Sequence, residues 1–360
     1  MNESRYDSIR GSVNYSEVRC VEVAVIGAGI SGLAVADQLI RAGLSVCVLE
    51  ARARVGGRLL GSPFDLGASW FWPGEHRVMA LTQRLAIETF EQYRIGDALI
   101  DDIAGLQRYP GNPIDVPSYR IAGGTSALAA ALTADLPSGT LHLKQPVHEI
   151  TSELHIAARE HRWQAHHVVI ALPPSLAVNA IKLPPELPEE LTDVAARTPV
   201  WMGDSVKVVA HFKEPFWRRD GLAGAAISRR GPLAELHDMS GPGGEPAALF
   251  GFVRAASMHD DIEFEIREQL IRMFGTRASE PIDVLIQDWS REQWTVPPGT
   301  YGLPDYAKFG HSIYQQPALA GRLHWSSTET APTYAGHIEG ALAAAERTVT
   351  SILGSCVVKN

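Results

Sequence analysis

The 360-residue sequence predicts an α/β fold of about two domains, the first built on a βαβ unit of the dinucleotide-binding kind. Three observations carry this expectation. A β-branched run from Glu22 to Ile26 ends in the glycine pattern Gly27, Gly29, Gly32. Apolar residues then recur at helical spacing from Ile30 to Ala42. A second β-rich run, Ser45 to Leu49, stops at the acidic Glu50.

Each part of that unit has a chemical reason. Gly27 allows the tight turn after the strand, Gly29 lets a pyrophosphate approach backbone at the helix N-terminus, and Gly32 permits close helix–strand packing. Glu50, about 20 residues on, suits a ribose hydroxyl pair and favours NAD or FAD over NADP. A glycine-rich turn in some other α/β protein is the competing reading, and strand, helix, strand and acid together weigh against it.

Composition narrows the function. At 45% hydrophobic the chain can bury a large core, and its three cysteines, Cys20, Cys47 and Cys356, are too few and scattered for a disulfide framework. A reducing, cytoplasmic location is expected. The first twenty residues are polar with both charge signs and lack the apolar core of a signal peptide. No run of roughly 18 apolar residues occurs, so no membrane span is expected. A net charge of -9 without a basic block argues against nucleic acid and leaves small-molecule chemistry. No repeat and no low-complexity tract breaks the chain; "ALPPS", "LPPELPEEL", "GPGGEP" and "VPPGTYG" mark turns or crossings. His166 and His167 would face opposite sides of a strand and have no partner at helical spacing, so no metal is expected.

The stretch "EARARVGGR", Glu50 to Arg58, continues with paired glycines and three arginines where a nicotinamide enzyme would begin its next helix. Adjacent glycines let backbone pass close to a bulky ligand, and arginines neutralise a pyrophosphate. An arginine-rich surface loop would read the same.

Here the sequence resembles the flavin-containing amine oxidases. The run "VIGAGISGLAVADQLIRAGLSVCVLEARARVGGR" is similar to their N-terminal FAD signature, and the resemblance extends through "FDLGASW", "IAGGTSALAAAL", "QPVHEI", "VVIALPP", "SVKVVAHFKEPFW", "QDWSREQWTVPPGTY" and "TETAPTYAGHIEGALAAAERT". It implies an FAD-binding Rossmann-like domain in three pieces, 1–75, 119–175 and 315–360, with an inserted α+β substrate domain on a mixed sheet at 76–118 and 176–314. It further implies that Gly27, Gly29, Gly32, Glu50, Arg52, Gly57 and Arg58 bind FAD. Ala68, Ser69, Trp70, Val147, Glu329 and Ile338 would join them; Glu329 could instead be an acidic first-turn residue of the last helix, but "TETA" sits where the family has its matching motif. Thr300 stands where mitochondrial monoamine oxidases have a cysteine; a hydroxyl forms no thioether, so FAD is expected to be non-covalent. The chain is shorter than typical members, which implies trimmed substrate-domain loops and a more open pocket.

The resemblance implies hydride transfer from an amine's C–N carbon to flavin N5, an imine that water hydrolyses, and reoxidation by O2 to H2O2. Lys207 alternates with the apolar Val206, Val208, Ala210 and Phe212, and from pattern alone is as compatible with solvent as with a site. By resemblance it is the lysine that holds a water at N5. Tyr301 and His337 match the two aromatic residues that flank the substrate amine, with histidine replacing a second tyrosine. Trp289 would pack near the flavin. An L-amino-acid oxidase is the first alternative, disfavoured because Ser69 and Trp70 stand where an arginine would clamp a carboxylate, with Arg77 or Arg94 left as other sources. A flavin desaturase and a non-catalytic flavin-binding protein are the others. A monomer or homodimer acting on a small amine is expected.

Overall fold

The computed structural model describes residues 18–159, 161–298 and 306–357. Its first sheet has seven strands centred on Val18–Ile26, which runs parallel to Val46–Leu49 on one side and to Arg162–Ile170 on the other. Leu141–His142 extends the Val46–Leu49 side, and Leu323–Trp325 and His155–Ala157 pair with Arg162–Ile170. The central strand begins at Val18, earlier than its apolar pattern, because Val18 to Val21 pair in parallel register with Arg162 to Ala165 of the long strand Arg162–Ile170. Pairing there outweighs the polarity of Arg19.

Helices cover this sheet on both faces. On one, Ile30–Arg41 packs with Ser126–Ala134, His76–Arg84 and Ile338–Val357 around Val23, Val25, Leu33 and Leu39. On the other, Ala177, Leu191 and Val194 of two short helices close over Ala24, Ile26, Leu49 and Trp325. Each fully buried aliphatic side chain in these layers contributes roughly 1.5–3 kcal/mol. The last helix starts at Ile338, so Glu329 lies in a separate 3-10 turn, Thr328–Thr330.

A second seven-stranded sheet runs in the order Asp283–Asp288, Ser205–Phe212, Ala247–Arg254, Glu235–Asp238, Leu222–Ser228, Asp97–Asp102, Gly105–Tyr109. It is mixed: Leu222–Ser228 and Asp97–Asp102 are parallel, and the other neighbours antiparallel. Along Ser205–Phe212 the even-numbered residues Val206, Val208, Ala210 and Phe212 bury against Trp217, Ile266 and Leu270. The middle of the odd face, Lys207 and Val209, is buried as well, with Val209 against Phe64, Met239 and Phe250. The solvent-face reading of Lys207 is thereby corrected: its sheet face is covered by the segment around residues 64–70.

One buried pair was invisible to helical spacing because it joins two strands. His167 Nδ1 lies 3.3 Å from His324 Nε2, on adjacent parallel strands. Burial, with His167 and Arg347 adding, pushes the His324 imidazole down to about 3. His324 is therefore neutral in the fold, while in the unfolded chain it takes up a proton near pH ~6.5. Below that pH the unfolded state binds the extra proton, so stability falls with pH until about 3. The slope is up to about 1.4 kcal/mol per pH unit. His324→Gln should remove about one proton from the acid limb of urea-unfolding free energy against pH; an unaltered limb would assign the acid sensitivity to other groups.

Candidate active site

The cavity opens at the end of the βαβ unit. Gly27 has φ +104 and ends the central strand; Gly29 is the N-cap of the helix Ile30–Arg41. No acidic residue occupies that helix's first turn, and its positive end faces the cavity. The three glycines differ in their space. A Cβ on Gly32 would lie 2.1 Å from the Gly27 carbonyl oxygen, whereas a Cβ on Gly29 would meet nothing within 4 Å. Close packing is the role at Gly32 and open approach the role at Gly29, which is the cradle a dinucleotide requires.

The cavity encloses about 370 Å³ and runs from Glu50 and Arg52 to Lys207 and His337. Gly27, Gly29, Gly57, Arg58, Ala68, Ser69, Trp70, Trp289 and Ile338 also line it. Three predicted residues stand behind the wall. Gly32 packs under the turn, Val147 lies in the core beside Leu49, and Glu329, fully buried, holds Arg58 through bonds of 2.6 and 3.1 Å. Tyr301 and Thr300 lie outside the described residues.

Charged groups at the nucleotide end are paired with distant parts of the chain. Glu50 accepts from the Ala28 and Arg52 amides, both at 2.8 Å. Arg52 reaches Glu292 at 2.7 Å and the Thr295 hydroxyl at 2.6 Å. These contacts leave further carboxylate lone pairs and guanidinium N–H groups for a ligand. Cradle, acid and arginines together fit FAD.

At the other end Lys207 is 2% exposed. Its Nζ donates to the Gly67 carbonyl at 2.9 Å and to the Ser69 hydroxyl, and sits 4.4 Å from the centroid of the Phe250 ring. Burial pushes its pKa down to about 7; the buried Asp65 opposes this and Arg120 adds to it. Trp289 is anchored by donating from Nε1 to the Leu66 carbonyl at 2.9 Å. His337, immediately before the last helix, has its ring centroid 4.8 Å from that of Trp72 and 6.2 Å from that of Trp201, tilted to both.

Several lining residues escaped the sequence reading: Trp72, Trp201, Phe252, Trp294 and Glu235. The register of the second sheet finds one of them. Lys207 pairs with Phe252 and Phe252 with Glu235, so the three share one row and one sheet face.

The glycine geometry separates two substitutions. Gly29→Ala should leave the stability of flavin-free protein within about 0.5 kcal/mol while weakening flavin binding at least tenfold. Gly32→Ala should cost roughly 1–3 kcal/mol in urea unfolding. Equal stability losses in the two variants would contradict the assigned roles.

Comparison with known proteins agrees with this geometry. The profile of the family described as flavin containing amine oxidoreductase matches residues 30–120 and 115–353. The AofH protein of Mycobacterium tuberculosis, described as a flavin-containing monoamine oxidase, is 26% identical, with 92% of this chain and 96% of that protein aligned. The flavin-containing amine oxidase B of Sus scrofa is 26% identical over 92% of this chain and 86% of its own length. A solved putrescine oxidase bound to putrescine shares the fold, with a TM-score of 0.82 at 23% identity over 94% of this chain and 100% of that one. Among the described residues no helix is long and apolar enough to cross a membrane. With the profile spanning most of the chain and a dinucleotide cradle at its start, this protein belongs to the flavin-containing amine oxidoreductases, and FAD is its cofactor.

Proposed function

We propose that the protein oxidises an amine to an imine, hydrolysed to an aldehyde plus ammonia or a smaller amine, with O2 as electron acceptor and H2O2 as second product. The observation that carries the reading is Lys207, a buried amine on the cavity wall with a pKa of about 7. Bound FAD supplies the redox chemistry, accepting the hydride from the C–N carbon and passing electrons to oxygen. Lys207 Nζ would supply the charge, and hold the water, that oxygen reduction needs. Ser69 and Gly67 fix its direction by accepting two of its three N–H groups.

Other residues act by shape and charge. Trp70, Trp72, Trp201 and Phe252 form apolar walls that exclude water and favour the neutral amine over its ammonium. By the family resemblance Tyr301 would be the second aromatic residue beside the substrate amine. The arginines of the cavity wall, Arg52 and Arg58, are held by Glu292 and Glu329 at the nucleotide end. Arg77 is engaged by Glu339 and Glu346, so it supplies no clamp for a substrate carboxylate. This favours an amine over an amino acid. Thr300 in place of the linking cysteine supports non-covalent FAD.

Glu235 narrows the substrate class. It lies two strands from Lys207, roughly 10 Å at ordinary strand spacing, and presents a carboxylate to the cavity. A second ammonium a few carbons from the reacting nitrogen would pair with it, which favours diamines. Glu235 is shared with His237, whose Nε2 is 3.9 Å away.

Three measurements test the reading. Acid-precipitated protein should release all its flavin, as FAD, into the supernatant; flavin retained in the pellet would overturn non-covalent binding. Lys207→Met should keep FAD but slow stopped-flow reoxidation by O2 at least tenfold, about 1.4 kcal/mol of barrier; wild-type reoxidation would leave Lys207 a structural role. Glu235→Gln should raise KM for the best diamine about fivefold, as a partly exposed ion pair of ~1 kcal/mol implies, and leave monoamines unchanged. A uniform rise would sink the diamine reading.

A further inference from the structure

His337 has a partner that its place in the sequence does not suggest. Its Nδ1 lies 2.5 Å from Oε1 of Glu75, a fully buried carboxylate that also accepts the Trp72 amide through Oε2 at 3.2 Å. Glu75 precedes the helix His76–Arg84, whereas His337 precedes the last helix, and the residues are 262 apart. The backbone on the histidine side is held too: its amide donates to Tyr334 at 3.0 Å and its carbonyl accepts from the Thr328 hydroxyl at 2.8 Å. Trp72 and Trp201 fix the ring plane.

This geometry determines what the ring offers the cavity. A carboxylate only accepts, so Nδ1 carries the ring hydrogen and donates it to Glu75. In the neutral ring Nε2 is then an acceptor, and no other described residue donates to it. Glu75 lies behind the wall, while His337 lines the cavity. The other charged groups around the ring are already paired: Arg77 with Glu339 and Glu346, and Arg58 with Glu329, which also accepts the Trp201 amide at 3.4 Å. Lys207 and Glu235, the other titratable groups at this end of the cavity, are engaged as well: Lys207 has committed two N–H groups to Gly67 and Ser69, and Glu235 has His237 Nε2 3.9 Å away.

We propose that Glu75 and His337 form a base dyad that takes the proton from the substrate ammonium before hydride transfer. The inference rests on the amine-oxidation reading above. Alkylamines are cations near neutral pH, yet only a neutral nitrogen can release hydride from its carbon. In the step proposed, one N–H bond of R–NH3+ breaks and an Nε2–H bond forms, yielding R–NH2 and an imidazolium beside the Glu75 carboxylate; no electrons are transferred. The proton later returns to solvent through the cavity. His337 is the catalytic residue of the pair. Glu75 is a positioning residue that sets the ring's tautomer and balances its transient charge.

The test uses FAD-loaded protein and the fastest alkylamine. Glu75→Gln should slow anaerobic flavin reduction at pH 7 at least tenfold, and the deficit should shrink below about twofold at pH 10, where much of the amine arrives neutral. His337→Phe, which keeps the aromatic wall, should show the same closing gap. A deficit of equal size at both pH values would reduce the pair to a structural contact and overturn the proposal. Nitrogen-15 NMR of histidine-labelled holoenzyme, assigned by the signal lost in His337→Phe, should show Nδ1 protonated and Nε2 unprotonated at pH 8; a protonated Nε2 also overturns it. A wild-type flavin reduced by no amine would sink the amine-oxidation reading, and with it the base role, whereas normal reduction with no effect of Glu75→Gln would sink the dyad alone.

Discussion

A lysine ammonium removed from water governs how the two sheets meet. Burying such an ion costs several kcal/mol unless it is hydrogen-bonded and balanced. Lys207 belongs to the second sheet, but its acceptors, the Gly67 carbonyl and Ser69 hydroxyl, belong to the segment that leaves the βαβ unit. That segment is tied in turn. Asp65 accepts the Thr125 amide and hydroxyl at 2.6 and 2.9 Å, at the start of a helix that packs on Ile30–Arg41. The observed docking of the sheets satisfies Lys207 and leaves the cavity between them.

The nucleotide end follows the same logic. Arg52 and Arg58 leave the strand end close together in sequence, yet they find Glu292 and Glu329 hundreds of residues away. Both pairs are partly buried, so taking away one member leaves the other charge unbalanced in a site with little water to screen it. The pairs therefore locate the segment around Glu292 to Thr295 and the turn Thr328–Thr330 against the glycine cradle. Gly32 permits this closeness at its base, since any side chain there would strike the Gly27 carbonyl.

Apolar walls complete the reacting end. Trp70 is positioned by its Nε1 donating to Gln92 at 3.0 Å and by ring contacts of 5.0 Å with His237 and Phe250. Trp201 fits because Gly336 has no side chain; a Cβ there would come within 2.5 Å of the indole. Rigid aromatic surfaces lower the local dielectric, which strengthens each charge interaction within, whether at Lys207, Glu235 or His337.

By itself the sequence determined the βαβ unit, the cradle glycines and the acid at the second strand, because these depend on residues within about 30 positions of one another, and the family resemblance, because each of its motifs is a short contiguous run. It also marked Lys207 and His337, yet alternation left Lys207 open between solvent and interior. Only the covering of its sheet face by residues 64–70 decided that question. Glu75, Trp72, Trp201 and Glu235 had no local signature at all, since an isolated glutamate or tryptophan repeats no spacing. Their roles arise where segments far apart in the chain are brought within hydrogen-bond or ring-contact distance, and the same holds for the His167–His324 pair across parallel strands. Short-range pattern specifies backbone conformation and ligand approach, whereas the charge environment of a side chain is the sum over neighbours that folding alone assembles.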